Sequence, residues 1–152
     1  MFVSCFEFIR GAVANMAETP FPVGYAGRFL RVDLSSGTLS DARWEDAALR
    51  KWVGGSGVGT KILYDEVPSS VRWDDPENRL IMATGPLAGT TVMGTGSVCV
   101  VTKGALTDGA TTSQANGFMG ASMKLAGFDG GILQGRPAVL VDVYLTRVGA
   151  AV

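Results

Sequence analysis

Leu80-Ile-Met-Ala-Thr-Gly-Pro-Leu-Ala-Gly-Thr-Thr-Val-Met-Gly-Thr-Gly-Ser-Val-Cys-Val-Val-Thr102 sets two short apolar runs around a linker of glycine and threonine. The runs Leu80–Ala83 and Val98–Thr102 read as buried strands, because each is short, apolar and bounded by turn formers. The linker Gly85–Gly96 belongs to a wider pattern. Sixteen of the twenty-one glycines fall between Gly54 and Gly135, and the 49 residues from Arg79 to Gly127 carry only four charges. Glycine lets backbone approach a ligand closely and adopt positive φ. With so few cations nearby, an anion here would be held by main-chain N–H groups and polar side chains. That pattern suits a phosphate-bearing cofactor cradled by loops. It equally suits a turn-rich β domain whose hairpins the glycines close.

Working outward, Arg28–Leu34 alternates apolar and polar residues and runs into the turn Ser35-Ser36-Gly37. This predicts a strand entering a hairpin. Asp41 is placed to cap a helix through about Val53, with Trp44, Ala48, Leu49, Trp52 and Val53 on one face. Gly54–Gly59 stops that helix, and a second follows through Lys61–Glu66, ending before Pro68. Pro68–Asn78 and Gly104–Asn116 read as polar loops, Phe118–Ala126 as a helix, and Gly130–Leu133 and Val139–Leu145 as strands. Elements in this order suit an α+β domain better than a regular βαβ array.

At 152 residues, with 47% hydrophobic and 18% charged, the chain is expected to fold as one domain. A net charge of −1 argues against a nucleic-acid surface. Histidine is absent, which removes the usual neutral-pH base and the commonest metal ligand. Cys5 and Cys99 are the only thiols, so a four-ligand zinc or iron–sulfur site cannot be built by this chain alone. A reduced, cytoplasmic chain is expected, with no membrane span: the apolar start Met1–Phe8 is too short and is broken by Glu7 and then Arg10. Residues 1–23 read as a poorly ordered extension, with Met16 or a later residue as the true start.

GGSGVG at Gly54–Gly59 follows a helix, whereas a dinucleotide fingerprint follows a strand. It reads either as a tight helix–helix turn or as a helix N-terminus facing an anion. Gly94-Thr-Gly-Ser97 and Ser113-Gln-Ala-Asn-Gly117 each offer small residues, hydroxyl or amide groups and free backbone donors. Each also reads as an ordinary cap or turn. Lys103, Asp108 and Lys124 read as solvated charges, and Cys99 as an inert buried thiol.

The ordered sequence strongly resembles the N-terminal domain of the aldehyde ferredoxin oxidoreductase family, tungsten- or molybdenum-pterin enzymes. The carrying stretches are Gly27–Gly37, Trp52–Gly57, Lys61–Pro68, Pro76–Gly89, Val100–Lys103 and Met123–Gly130, in register from about Gly24 to Leu145. The resemblance implies mixed β-sheets with a few short helices, forming the base of a bis-pterin site with magnesium. It implies that Ser97, Gln114, Asn116 and Gly117 face the cofactor, with Gly94 and Gly96 shaping the loop and Gln114 near the magnesium. Ser56 and Ser97 stand where arginine is familiar in similar enzymes, and Gln114-Ala-Asn-Gly117 where Asn-Ser-Gly-Gly is usual. None is a catalytic acid, base or nucleophile. The family's four-iron four-sulfur cluster and substrate pocket belong to later domains, so residues 24–145 look like a partial cofactor domain and residues 146–152 like a divergent tail. Implied partners are the remaining domains, a ferredoxin or electron-transfer subunit, and a second copy in a homodimer. The alternative is an inactive fragment, or an assembly or phosphate-binding module without catalysis of its own.

Overall fold

The computed structural model describes residues 24–146 and 149–151; the expected extension, 1–23, lies outside the described residues, as does part of the tail. The strands are β1 (Arg28–Asp33), β2 (Thr38–Arg43), β3 (Arg79–Ala83), β4 (Val98–Lys103), β5 (Ala110–Ala115), β6 (Gly130–Gln134), β7 (Tyr144–Thr146) and β8 (Gly149–Ala151). The helices are α1 (Asp46–Trp52), α2 (Gly55–Glu66) and α3 (Met119–Leu125). Six strands make one sheet in the order β2-β1-β6-β3-β4-β5, and β7 with β8 forms a separate ribbon. Only β1 and β6 run parallel in the large sheet; its other neighbours are antiparallel. This is the predicted mixed-sheet α+β class.

Helix α2 lies on one face of the sheet. Its Val58, Ile62 and Leu63 bury against Phe29, Ile81, Ala83, Val101 and Ile132. Its glycines serve that packing. A Cβ at Gly59 would stand 2.5 Å from Val101 Cγ2, so only glycine permits this approach of helix to sheet. Gly55–Gly59 is therefore helical, and the turn from α1 shrinks to Val53 and Gly54. Val53 adopts φ 63° and ψ −55°, and Gly54 N donates to Trp52 O at 2.7 Å. That is the rarer, strained form of γ-turn. On the opposite face, Leu30, Val32 and Phe128 pack with Leu34, Leu39, Leu133, Val143 and Leu145.

Four expectations change. The stretch assigned to one helix, Asp41–Val53, is the end of β2 followed by the shorter α1. As an edge strand β2 buries only Leu39 and Ala42, and those partly, so its alternation is faint, and Asp41 pairs with Arg28 at 2.7 Å instead of capping. The loop expected over Gly104–Asn116 contains β5, a strand exposed at all six positions whose backbone pairs with β4. The strand expected over Val139–Leu145 reduces to Tyr144–Thr146. That short strand pairs with β8 rather than joining the large sheet, where β1 and β3 already flank β6. Lys103 is not a solvated charge: it is buried, and its Nζ donates to Pro68 O, Ser69 O and Val71 O at 3.2, 2.9 and 2.5 Å. Asp108 does stay at the surface, accepting from Trp73 N at 3.3 Å.

Candidate functional site

At one end of the sheet the β3–β4 loop meets the junction of β5 with α3. A Cβ at Gly96 would lie 1.8 Å from Gly117 O, so the two backbones touch where only glycine fits. Gly120 N donates to Gly96 O at 3.2 Å, and a Cβ there would stand 2.6 Å from Ser97 O. Ser97 Oγ donates to Asn116 Oδ1 at 2.8 Å. Register pairs Val98 with Ala115 and Cys99 with Gln114. Side chains alternate along strands, which places Ser97, Cys99, Gln114 and Asn116 on the face that carries α2. The first turn of α2 opens onto the same corner: a Cβ at Gly55 would be 3.7 Å from Cys99 Cβ. Gly94 and Gly117 hold φ of 79° and 123° with nothing within 4 Å of a built Cβ, so they expose bare backbone. All six residues singled out from sequence thus occupy one corner, with Gly94 and Gln114 beside the contact rather than in it.

Beneath this corner is a support that sequence reasoning missed. Asp129, only 2% exposed, accepts from Ala26 N at 3.1 Å and Gly27 N at 2.7 Å. It pairs with Lys124 Nζ, which also donates to Gly24 O at 2.8 Å. Thr84 N and Oγ1 donate to Asp129 O at 2.9 and 3.0 Å, tying the start of the β3–β4 loop to the start of β6. A Cβ at Gly89 would be 3.3 Å from Lys124 Cβ, so the loop rests on α3. Lys124 therefore corrects the solvated-charge reading. A buried charge survives only when paired and hydrogen-bonded, and this one is both. The available signal was an Asp and a Lys five residues apart in an otherwise uncharged stretch. Tyr25 Oη reaches Val53 O at 2.7 Å, and burial first, then the Asp129 charge, pushes its hydroxyl above the usual tyrosine range.

The corner's polar groups are neutral hydroxyls, amides and peptide N–H groups, while Lys103 and Lys124 are both held by protein oxygens. Cys99 is half-buried, and burial pushes its thiol up, which fits an inert thiol. A hollow of about 300 Å³ lies at the other end of the sheet, among Trp73, Asn78, Arg79, Thr102, Gln134 and Arg136, and shares no residue with the corner. Among the described residues, no three His, Cys, Asp or Glu side chains gather as a metal site, and no helix is long and apolar enough to cross a membrane.

Residues 29–151 match the family model of the aldehyde ferredoxin oxidoreductase N-terminal domain. The chain is 38% identical over 122 residues to the tungsten-containing aldehyde ferredoxin oxidoreductase of Pyrococcus horikoshii, a match covering 80% of this chain and 20% of that protein. It is 33% identical over 124 residues to an aliphatic sulfonate oxidoreductase, WOR-like subunit, of Pyrococcus furiosus, with the same coverage. A solved active-site complex, BamBC of benzoyl-coenzyme A reductase with 1,5-dienoyl-CoA, superposes with a TM-score of 0.82 at 32% identity, covering 85% of this chain and 20% of that one. The chain spans about a fifth of the length of the curated relatives it matches. With the six-stranded mixed sheet and the glycine-lined corner, these matches place the chain in the aldehyde ferredoxin oxidoreductase family, where it corresponds to the N-terminal domain.

Proposed function

We propose that residues 24–145 are part of the cofactor-binding portion of an aldehyde ferredoxin oxidoreductase-like enzyme, and that the Gly96–Gly117 corner faces a tungsten- or molybdenum-bis-pterin. What carries the reading is the backbone contact of Gly96 with Gly117 beside the Ser97–Asn116 hydrogen bond, which gathers two distant polar loops into one surface. The residues fit such a group. Gly94 and Gly117 leave backbone open to close approach by a phosphate-bearing ligand. The amide oxygens of Gln114 and Asn116 are hard donors of the kind magnesium takes, with Gln114 assigned to the metal. Ser97 offers a hydroxyl.

When bound, the metal–dithiolene group supplies the two-electron chemistry. The reaction proposed for the whole protein takes an aldehyde and water to a carboxylic acid, two protons and two electrons, or oxidises a related oxo compound by two electrons. Those electrons leave through a four-iron four-sulfur cluster outside this chain to a ferredoxin or an electron-transfer subunit. In this chain Ser97, Gln114 and Asn116 bind and orient, the glycines permit approach, and the Lys124–Asp129 support holds the loops in place. A cytoplasmic homodimer is part of the proposal. The protein that carries this sequence, purified from its natural source, is expected to contain tungsten or molybdenum by mass spectrometry and to reduce a viologen dye with aldehyde. Changing Gln114 to Ala is expected to lower its metal content at least about tenfold. Metal-free native protein that binds phosphate or nucleotide would favour the binding-module alternative.

A further inference from the structure

Among the described residues, two that are not glycine hold positive φ: Asp108 at 50° and Val53 at 63°. Aspartate tolerates that region, whereas a β-branched residue there is a genuine outlier. The outlier stands at a crowded joint. A Cβ at Gly57 would lie 2.3 Å from Trp52 O, and one at Gly54 2.5 Å from Thr84 O, so α1, α2 and the start of the β3–β4 loop meet backbone to backbone. Gly55 N closes the joint by donating to Thr84 O at 3.0 Å. Val53 adds little packing of its own, because its side chain is half exposed. Strain of this kind persists only where surrounding contacts over-determine the backbone.

One such contact comes from outside the joint. Tyr25 Oη donates at 2.7 Å to Val53 O, a carbonyl at the C-cap of α1. Carbonyls at a helix end need partners from elsewhere. Tyr25 is itself fixed on both sides: Gly24 O accepts from Lys124 Nζ, while Ala26 N and Gly27 N donate to the Asp129 carboxylate. The Lys124 ammonium also stands 5.3 Å from the centre of the Tyr25 ring, within reach of a cation–π attraction. We infer that Tyr25 is a positioning residue: its hydroxyl latches the strained Val53–Gly54 turn and so seats Gly55 against Thr84, where the β3–β4 loop sets out toward Ser97. The latch carries the hold of the Lys124–Asp129 pair across to the junction of α1 and α2. In the cofactor reading proposed above, on which this last step rests, that loop forms one side of the ligand's cradle.

Two substitutions separate latch from strain. Tyr25→Phe removes the hydroxyl and keeps the ring beside Lys124. Val53→Gly removes the strain without moving the turn, since glycine adopts positive φ freely. Amide hydrogen exchange of the 152-residue chain, read by NMR at low urea, tests the pair. Tyr25→Phe is expected to speed exchange at the Gly55 amide at least about fivefold, and by more than in the central strand β3. Val53→Gly alone is expected to raise the urea midpoint, because the strain removed outweighs the freedom glycine adds to the unfolded chain. Added to Tyr25→Phe, it is expected to return Gly55 exchange to within about twofold of wild type. A tyrosine that only adds stability would speed the Gly55 and β3 amides alike, and that result overturns the latch. So does a Val53→Gly chain with a lowered midpoint, a double variant without rescue, or a Gly55 amide indifferent to loss of the hydroxyl. Metal content is not read in this experiment, so its failure is separate from failure of the cofactor reading.

Discussion

Gly96 is the residue on which the corner turns. Any side chain there displaces Gly117 O, since even a methyl carbon would stand 1.8 Å from it. Gly96→Ala is expected to destabilise the chain by more than about 3 kcal/mol, because backbone on both sides has to move. A urea midpoint within experimental error of wild type would show that the loops do not meet. Lys103 makes a second residue-level case. Its ammonium is the shared donor for three carbonyls of the Pro68–Val71 turn. Lys103→Met keeps much of the stem but strands those acceptors, an expected loss of about 3 kcal/mol and a lower melting temperature by calorimetry. Neither role is visible in composition. An isolated lysine after an apolar run looks the same whether it points to water or into a ring of carbonyls.

The tie between α2 and the sheet sets the pH response. Glu66, near the end of α2, accepts from Arg31 on β1 at 2.8 Å and from Arg79 on β3 at 3.2 Å. Partial burial pushes the Glu66 carboxyl up, but the hydrogen bond and charge of Arg31, then those of Arg79, outweigh it and hold the group below the usual carboxylate range. The same hydrogen bond to Glu66 raises the Arg31 guanidinium. The unfolded chain therefore takes up this proton at higher pH than the folded one. The stabilisation is complete above the unfolded value of about 4.3 and drains away as pH falls through the lower folded value. Unfolding free energy measured from pH 7 to 3 is expected to drop on the acid side, and to drop less in Glu66→Gln. Parallel acid limbs in the two proteins would refute the assignment. At this level sequence reading succeeded where apolar side chains enter the core: β3, β4 and β6 are short apolar runs whose Ile81, Ala83, Val98, Val101 and Ile132 are buried. It failed at the edges. β2 and β5 bury little, so the alternation that identifies a strand never appears in their residue types.

Across the whole molecule, order along the chain was legible and neighbourhood was not. The glycine-rich stretch from Gly54 to Gly135, the charge-poor stretch from Arg79 to Gly127, the central strands, the mixed α+β class and the family likeness follow from residue types and their spacing. The six candidate residues share one corner because the β4–β5 hairpin brings positions near 96 and 117 together, and that depends on a strand absent from the periodic signal. The parallel pairing of β1 with β6, the burial of Lys103, and the Lys124–Asp129 support arise from contacts between residues far apart in the chain or turned inward by packing. Local propensity acts over a few residues and registers what each segment can become. Which polar group ends up buried, and beside what, is settled by the long-range free energy of closing the sheet.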